Sequence, residues 1–230
     1  MSHEMTLEAA NAATIRLVNA SWASYLQHAL KNLKAIGQRH QSNGAQALIK
    51  RFKRVRPATY YHSVRVSRLS RKLGYVFGFN EEQIRQLCYT AVLHDVGKMF
   101  VPEAVLNRPR KPKRTELFIL HLHPSFGALL ASYFNLSPSL RIRTQHHHER
   151  WDGCGYPHKL GGEDIPLMAR IVQVADTYDA MVAERPYRRP LTHEEAVAEL
   201  RRHEGKQFDP RVIEAFLDTF PVSPGRPPAV

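Results

Sequence analysis

Several features are scarce in this sequence, and each scarcity narrows the class of protein. Its 230 residues include only two cysteines, Cys88 and Cys154, so a disulfide framework is not expected and a reducing compartment fits. No run approaches the ~18 consecutive apolar residues that a membrane-spanning helix needs. The first twenty residues mix polar side chains with alanine, which is unlike a secretory signal peptide. These observations predict a cytoplasmic protein without a membrane span.

Acidic residues are also few beside the basic ones. Asp and Glu number 21 against 33 Lys and Arg, which gives a net charge of +12. An excess of this size favours an anionic partner such as a nucleotide, a nucleic acid or a phosphate. A merely solvated surface is an equal alternative, and charge alone selects no ligand. The basic residues are concentrated in residues 50–72 and 108–114.

Runs of alternating β-branched residues are scarce as well, whereas helical periodicity recurs along the chain. Residues 11–36 carry apolar side chains at helical spacing, and Gly37 is a suitable end for that helix. We therefore predict an all-α fold in three parts. These are a helical N-terminal extension over residues 1–50, a helical domain over residues 51–220, and a Pro-rich disordered tail over residues 221–230.

Local signals place the ends of individual helices. Residues 80–83 and 192–195 have the spacing of capping boxes, which open a helix. The helix that begins after the first box has one apolar face and should deliver His94 and Asp95 near its end. Residues 117–134 have the periodicity of a single helix despite an internal proline.

The pentapeptide from His94 to Lys98 (HDVGK) carries the clearest chemistry. A neutral imidazole beside a carboxylate can serve two metals, because a carboxylate has two oxygens and can bridge. Lys98 supplies a nearby cation that suits a phosphate oxygen. A His–Asp pair alone is weak evidence, but the whole pentapeptide at the end of an apolar helix is much stronger.

This pentapeptide resembles the signature of the HD phosphohydrolase superfamily. Residues 152–157 (DGCGYP) resemble the loop that names its HD-GYP subgroup, the cyclic di-GMP phosphodiesterases. The resemblance extends over residues 58–216, in the family's order and at compatible spacings, and it implies an HD-domain helical bundle. The further matching residues are His62, Arg65-Val66, His123-Pro124, Gly127, His147 to Trp151, Val174 to Asp176, Arg185 to Arg188, and Phe208 to Pro210.

The resemblance also implies a set of metal ligands. Asp95 would bridge two divalent metals, and the donor set of imidazoles and carboxylates suits iron or manganese. Two such ions about 4 Å apart can stabilise both the attacking and the leaving oxygen of a phosphodiester. Of the three consecutive histidines, the family uses the two directly before Glu149, which leaves His146 outside the set. The other ligands would be His62, His94 and Asp176 for the first metal, and His123, His147 and His148 for the second.

Five substrate-binding residues are implied by the same resemblance: Lys98, Tyr156, Pro157, Arg185 and Arg188. Lys98 would also act in catalysis together with Asp95, by stabilising charge in the transition state or assisting the leaving oxygen. The two arginines would contact the substrate phosphates. The family commonly has lysine at the second of these positions, and a guanidinium keeps that charge. The tyrosine and the proline would shape the wall of the pocket.

Four residues close to these motifs allow further predictions about the site. Ala58 stands where some members have a glutamate that holds a third metal, so a two-metal site is predicted and further hydrolysis of the linear product is in doubt. Asp179 lies one helical turn beyond a ligand carboxylate, and two alternatives stay open for it, orienting a ligand or a structural role. His121 is two residues from His123 and on a continuous helix would face elsewhere. His158 follows the turn and is expected not to touch a ligand.

The function implied by the resemblance is metal-dependent hydrolysis of cyclic di-GMP to linear pGpG. Two alternatives stay open. One is a weakly active or inactive cyclic-dinucleotide sensor that docks diguanylate cyclases, and the other is a phosphodiesterase for cyclic GMP-AMP. The complete set of histidines and aspartates argues against the sensor. The apolar stripe of residues 11–36 would pack on the domain or form a homodimer interface.

Overall fold

Residues 44–106, 110–184 and 189–222 are described by a computed structural model, and they form helices and turns with one isolated bridge between Glu204 and Phe208. The all-α prediction is confirmed for these ranges. None of the described helices is both long and apolar enough to cross a lipid bilayer. The predicted N-terminal helix, and the predicted tail from residue 223 onward, lie outside the described residues. The boundaries of the three predicted parts stay predictions.

The described α-helices are α1 Gly44–Val55, α2 Pro57–Val76, α3 Glu81–Leu93, α4 Glu103–Leu106, α5 Arg114–His121, α6 His123–Tyr133, α7 Pro138–Gln145, α8 Leu167–Val182, α9 His193–Arg202 and α10 Pro210–Thr219. Two 3₁₀ helices, Val96–Phe100 and Gly162–Asp164, lie between them. The first of these follows α3 directly, so that the HDVGK segment leaves the α-helix at once.

Helix α8 is the central element of the bundle. It packs against α2, α3, α9 and α10, and its side chains are apolar on most of its circumference. Ile171, Val172 and Val174 are fully buried, which is the pattern of a helix surrounded by others rather than one with a solvent face. Burying each such side chain contributes about 1.5–3 kcal/mol of hydrophobic stabilisation. The core therefore fixes α8, which carries Asp176 and Asp179.

Both predicted capping boxes are confirmed. The side chain of Asn80 accepts a hydrogen bond from the backbone N–H of Gln83, and Gln83 accepts one from the N–H of Asn80, each at 2.9 Å. Thr192 and Glu195 form the same reciprocal pair at the start of α9. The first box fixes where α3 begins. The last residue of α3 is Leu93, and the His94–Asp95 pair follows it directly.

The prediction of one helix over residues 117–134 is wrong, because the helix is interrupted at Leu122, which separates α5 from α6. Proline has no N–H, and its ring clashes with the carbonyl four residues earlier, which interrupts a helix. Pro124 therefore lies in the first turn of α6, and the carbonyl of Leu120 is left open for another donor. That donor is Nδ1 of His123, at 2.6 Å.

A close contact between backbones explains the glycine of the HDVGK segment. A Cβ atom at Gly97 would lie 1.9 Å from the carbonyl oxygen of His123 and 2.6 Å from the backbone nitrogen of Gly127. Only glycine permits this approach of the 3₁₀ helix to α6. The contact brings Asp95 and His123 together although they are distant in the sequence.

Candidate metal centre

Three buried histidines at the ends of helices share one arrangement. Nδ1 of His94 donates to the carbonyl of Ala91 at 2.7 Å, and Nδ1 of His147 donates to that of Thr144 at 2.7 Å. His123 makes the equivalent bond to the carbonyl three residues before it. A ring that donates from Nδ1 keeps a lone pair on Nε2, which is the form that binds metal. The helix ends therefore fix the tautomer as well as the orientation.

The first group of donors consists of His62, His94 and Asp176. Nε2 of His62 lies 2.8 Å from Oδ1 of Asp176, and Nε2 of His94 lies 3.7 Å from the same oxygen. One donor atom from each residue falls within 4.8 Å of the others, a separation that one cation can span. Three helices, α2, α3 and α8, bring them together.

Asp179 orients a member of this group. Its carboxylate accepts a hydrogen bond from Nδ1 of His62 at 2.6 Å and two from the guanidinium of Arg65, at 2.8 and 2.9 Å. A carboxylate behind a histidine fixes the ring and raises its basicity. The sequence left open whether Asp179 orients a ligand or has a structural role. In the structure it contacts His62, which is a candidate metal ligand.

The second group consists of His123, His147, His148 and Asp95, whose donor atoms again lie within 4.8 Å of one another. Nε2 of His123 is 3.2 Å from Nε2 of His147 and 3.1 Å from Oδ1 of Asp95. The other oxygen of Asp95 is 3.4 Å from Nε2 of His94, in the first group. Each oxygen of Asp95 thus faces a different group, as a bridging carboxylate requires.

The first group is charged differently from the second. Burial disfavours the charged form of His94, but the carboxylates of Asp95 and Asp176 together raise its pKa to about 10. Burial likewise opposes charge on His62, yet Asp176 and Asp179 raise its pKa. Burial also opposes ionisation of Asp176, and the two histidines still hold its pKa well below the ordinary value. Without a metal, protons take the place of the cation here.

The imidazoles of the second group are held neutral. Burial and the neighbouring histidines keep the pKa of His147 well below its ordinary value, and burial with the nearby His123 lowers that of His148 to about 3. Burial also lowers the pKa of His123. Neutral rings are ready to bind a cation without losing a proton. Asp95 stays ionised, because Lys98 and His94 outweigh its burial and hold its pKa well below the usual range.

The donors fit divalent metals. Among the described residues, Nε2 of His94 and Oδ1 of Asp95 are buried and make no hydrogen bond. Buried polar atoms without a partner are rare in folded proteins. Imidazole and carboxylate donors together suit iron, manganese or zinc. The pair of groups that share Asp95 could therefore hold two ions.

An open cavity of about 550 Å³ adjoins the first group and is lined by His62, Asp95 and Asp176. Lys98 also lines it, and its ammonium contacts Oδ2 of Asp95 at 2.6 Å. Ala58 lies on the same wall and offers no metal ligand. A volume of this size is typical of small-molecule sites.

Tyr156 lies in a stack of rings beside the second group. Its ring is stacked against His121 at 4.1 Å between centroids and against His148 at 5.0 Å. Gly155 permits the approach, because a Cβ there would lie 2.4 Å from the backbone nitrogen of Arg150. His121 is exposed and belongs to neither donor group, but its ring contacts Tyr156, which the sequence analysis did not anticipate. No spacing rule based on a continuous helix could have found it.

The other implied residues have different outcomes. Arg185 and Arg188 lie outside the described residues, although Glu184 before them lines the cavity. Pro157 follows Tyr156 across a cis peptide bond. Substrate binding by these residues, and by Tyr156 and Lys98, stays a prediction. His146 is buried, but it belongs to neither the first nor the second group of donors and lies in a separate cluster.

Comparison with known proteins places the chain in a family. The sequence profile of the HD domain matches residues 26–212. The chain is 40% identical over 162 residues to a cyclic di-GMP phosphodiesterase of Thermotoga maritima, covering 69% of this chain and 44% of that protein. It is 35% identical over 159 residues to 3′3′-cGAMP-specific phosphodiesterase 2 of Vibrio cholerae, covering 68% of this chain and 30% of that protein. The chain thus spans less than half the length of these curated relatives.

Solved structures agree on the fold. An HDG"Y"P protein from Bdellovibrio bacteriovorus superposes with a TM-score of 0.60 at 20% identity, over 81% of this chain and 67% of that one. A cyclic GMP-AMP phosphodiesterase of Vibrio cholerae superposes with a TM-score of 0.55 at 22% identity, over 70% of this chain and 44% of that one. The chain belongs to the HD domain family, and its resemblance to the HD-GYP cyclic di-GMP phosphodiesterases is confirmed.

Proposed function

We propose that the chain is a metal-dependent phosphodiesterase that hydrolyses a 3′,5′-phosphodiester of cyclic di-GMP to give linear pGpG. The observation that carries this proposal is Asp95, whose two oxygens face two separate groups of buried metal donors. The names of the curated relatives support the choice of reaction and of substrate class. Docking to diguanylate cyclases with little turnover is the weaker reading, because a binding module has no need of seven converging donors.

Two divalent cations would supply Lewis acidity to the phosphodiester and to the attacking water. Asp95 would keep the two groups at a fixed separation, because each of its oxygens serves one of them. Lys98 would exchange its contact with Asp95 for one with a phosphate oxygen and stabilise the charge that builds up as water adds to phosphorus and the 3′ oxygen leaves. The Lys98 side chain is only 26% exposed, so solvent screens its charge less than that of a surface lysine.

Cations elsewhere in the cavity support an anionic substrate. Arg56 and Arg65 line the cavity together with Lys98, against the acidic Glu103 and Glu184. Arg185 and Arg188 would add two positive charges to the phosphates, as the family pattern implies. We further propose iron or manganese as the native metals and two ions rather than three, because the side chain of Ala58 has no carboxylate to offer at the cavity wall.

Two further proposals concern the whole protein. We place it in the cytoplasm, where cyclic dinucleotides act as signals, and we propose a homodimer formed through the apolar stripe of residues 11–36. Deletion of residues 1–43 should then give a monomer by light scattering. An unchanged number of chains per particle would remove the dimer proposal and leave the enzymatic one intact.

The test is product analysis with matched variants. The full chain would be purified without oxygen, reloaded with Fe²⁺ or Mn²⁺, and incubated separately with cyclic di-GMP and 3′3′-cGAMP before chromatography. We expect pGpG from cyclic di-GMP, loss of product with a chelator, and no activity in Asp95→Ala. Asp218→Ala, at an exposed position of α10, is the matched control and should remain active.

Different outcomes separate the alternatives. Faster cleavage of 3′3′-cGAMP would favour the second substrate, which the relatives from Vibrio cholerae make the main competitor. Saturable binding without turnover under both metals would favour the sensor. Release of GMP as a later product would contradict the argument drawn from Ala58.

A further inference from the structure

A third group of metal-capable side chains lies apart from the two groups that face Asp95 and Asp176. It consists of His146, Glu149 and His158, and one donor atom of each lies within 4.8 Å of the others. Nε2 of His146 is 2.8 Å from Nδ1 of His158, across the turn that contains Tyr156. The sequence analysis placed His146 outside the ligand set and expected His158 not to touch a ligand.

Glu149 is a buried carboxylate without a basic partner. It is 1% exposed, and its oxygens accept hydrogen bonds from the backbone N–H groups of His158, at 2.7 Å, and Leu160, at 3.1 Å. In the described ranges no lysine or arginine forms an ion pair with it, and the adjacent Arg150 pairs with Asp152. Buried charges in proteins are normally paired or bound to a metal. A cation beside Glu149 would supply the missing positive charge.

His146 presents one ring nitrogen to the same cluster. It is 8% exposed, and the atom that faces Nδ1 of His158 is its Nε2; its Nδ1, on the other side of the ring, is buried without a hydrogen bond in the described part of the chain. Two nitrogen ligands of a tetrahedral zinc ion, each 2.0–2.1 Å from it, lie roughly 3.3 Å apart. The ring of His158 therefore needs to withdraw by only about 0.5 Å from its contact with His146 to admit an ion. Because His158 is exposed, its side chain has the freedom to do so, and it leaves a path for entry.

We propose that His146, Glu149 and His158 form a separate site for a divalent transition metal, with Zn²⁺ as the ion that fits best. Two imidazoles and one carboxylate are a common zinc donor set, and water would complete the tetrahedron from the exposed side. The ion joins the end of α7 to the far end of the turn that carries Tyr156. His147 and His148 lie between its ligands in sequence, so the ion stiffens the backbone that presents them to the Asp95 centre.

The test counts zinc ions in variants of the full chain. Wild-type protein, His158→Ala and His203→Ala would be stripped with a chelator, equilibrated with excess Zn²⁺, passed through a desalting column and analysed by plasma mass spectrometry. His203 is a matched control because it also contacts a glutamate, Glu199 at 3.1 Å, but belongs to no cluster of three donors within residues 44–106, 110–184 and 189–222. We expect His158→Ala to hold one ion fewer per chain than wild type, and His203→Ala to hold the same number.

The result depends only on a difference between variants, so it is independent of how many ions the Asp95 centre holds and of the proposed activity. His158→Cys supplies a thiolate in place of the imidazole and should restore the lost ion. Equal counts in wild type and His158→Ala would overturn the proposal. So would an equal loss in the His203 variant, which would locate the ion elsewhere, or a loss of more than one ion in His158→Ala, which would show that the site is not separate.

Discussion

Replacing Asp179 by asparagine should weaken metal binding at His62 without removing any ligand. The carboxylate now serves Nδ1 of His62 and both donors of Arg65. Asparagine has nearly the same shape, but it has one acceptor oxygen and directs an NH₂ group at one of these donors. Either the imidazole or the guanidinium therefore loses its partner, and the ring of His62 is no longer held by a charge.

The magnitude follows from the geometry. Loss of the outer partner of a metal-bound histidine typically costs about 10- to 100-fold in affinity, or about 1.4–2.7 kcal/mol. The Arg65 side chain is 47% exposed, so solvent screens its share, and we expect the lower part of this range, roughly 10- to 30-fold. Competition with a chromophoric chelator for Mn²⁺ would measure the affinity directly.

Asp218→Asn is the control for this experiment, because Asp218 is exposed and, among the described residues, belongs to neither donor group of the centre. Its affinity for Mn²⁺ should equal that of wild type. If Asp179→Asn also bound Mn²⁺ as tightly as wild type, the carboxylate behind His62 would have no part in holding the metal, and the reasoning would be refuted.

Other perturbations address the remaining parts of the centre. Lys98→Met should retain its metals but lose about 10²- to 10³-fold in single-turnover rate, with partial recovery in Lys98→Arg; full activity in Lys98→Met would exclude a role on the phosphate. Gly97→Ala should lower the unfolding midpoint and the metal content together, because its Cβ meets the carbonyl of His123, and an unchanged thermal denaturation curve would contradict this. Metal binding at about pH 8 should release about one proton or more per chain, since the pKa of His94 near 10 keeps that ring protonated without metal. Affinity should therefore rise with pH, and calorimetric heats that do not depend on the buffer would disprove the exchange.

The helices could be predicted from the sequence where local chemistry decides them. The capping box at Asn80 acts over four residues, and it fixed the start of α3 correctly. Residues 117–134 show the limit of periodicity, because apolar spacing continues through a break that Pro124 imposes on the backbone. The break depends on one missing N–H and one clash, and a count of apolar residues does not detect them.

The candidate ligands could be named because their motifs are local, whereas their supports could not. The seven implied metal donors do fall into two groups that meet at Asp95, but their role as ligands stays a prediction. The contact of Asp179 with His62 joins residues 117 positions apart, and the stack of His121 on Tyr156 likewise joins segments that are distant in the sequence. The cluster around His158 likewise requires the exact path of a turn, which the sequence pattern does not specify.

Three of the histidines that face the centre also close helices. Each donates a hydrogen bond from Nδ1 to a backbone carbonyl that the last turn of a helix leaves without an intrahelical partner. The pairs are His94 with α3, His123 with α5 and His147 with α7. The C-terminal end of a helix carries a partial negative charge, so three helix dipoles converge on one chamber that already contains two carboxylates. These helix ends favour positive charge, so they add to the attraction that Asp95 and Asp176 exert on a metal and, in its absence, on the protons of His62 and His94. The backbone therefore favours occupation of the chamber by cations, whether protons or metal ions.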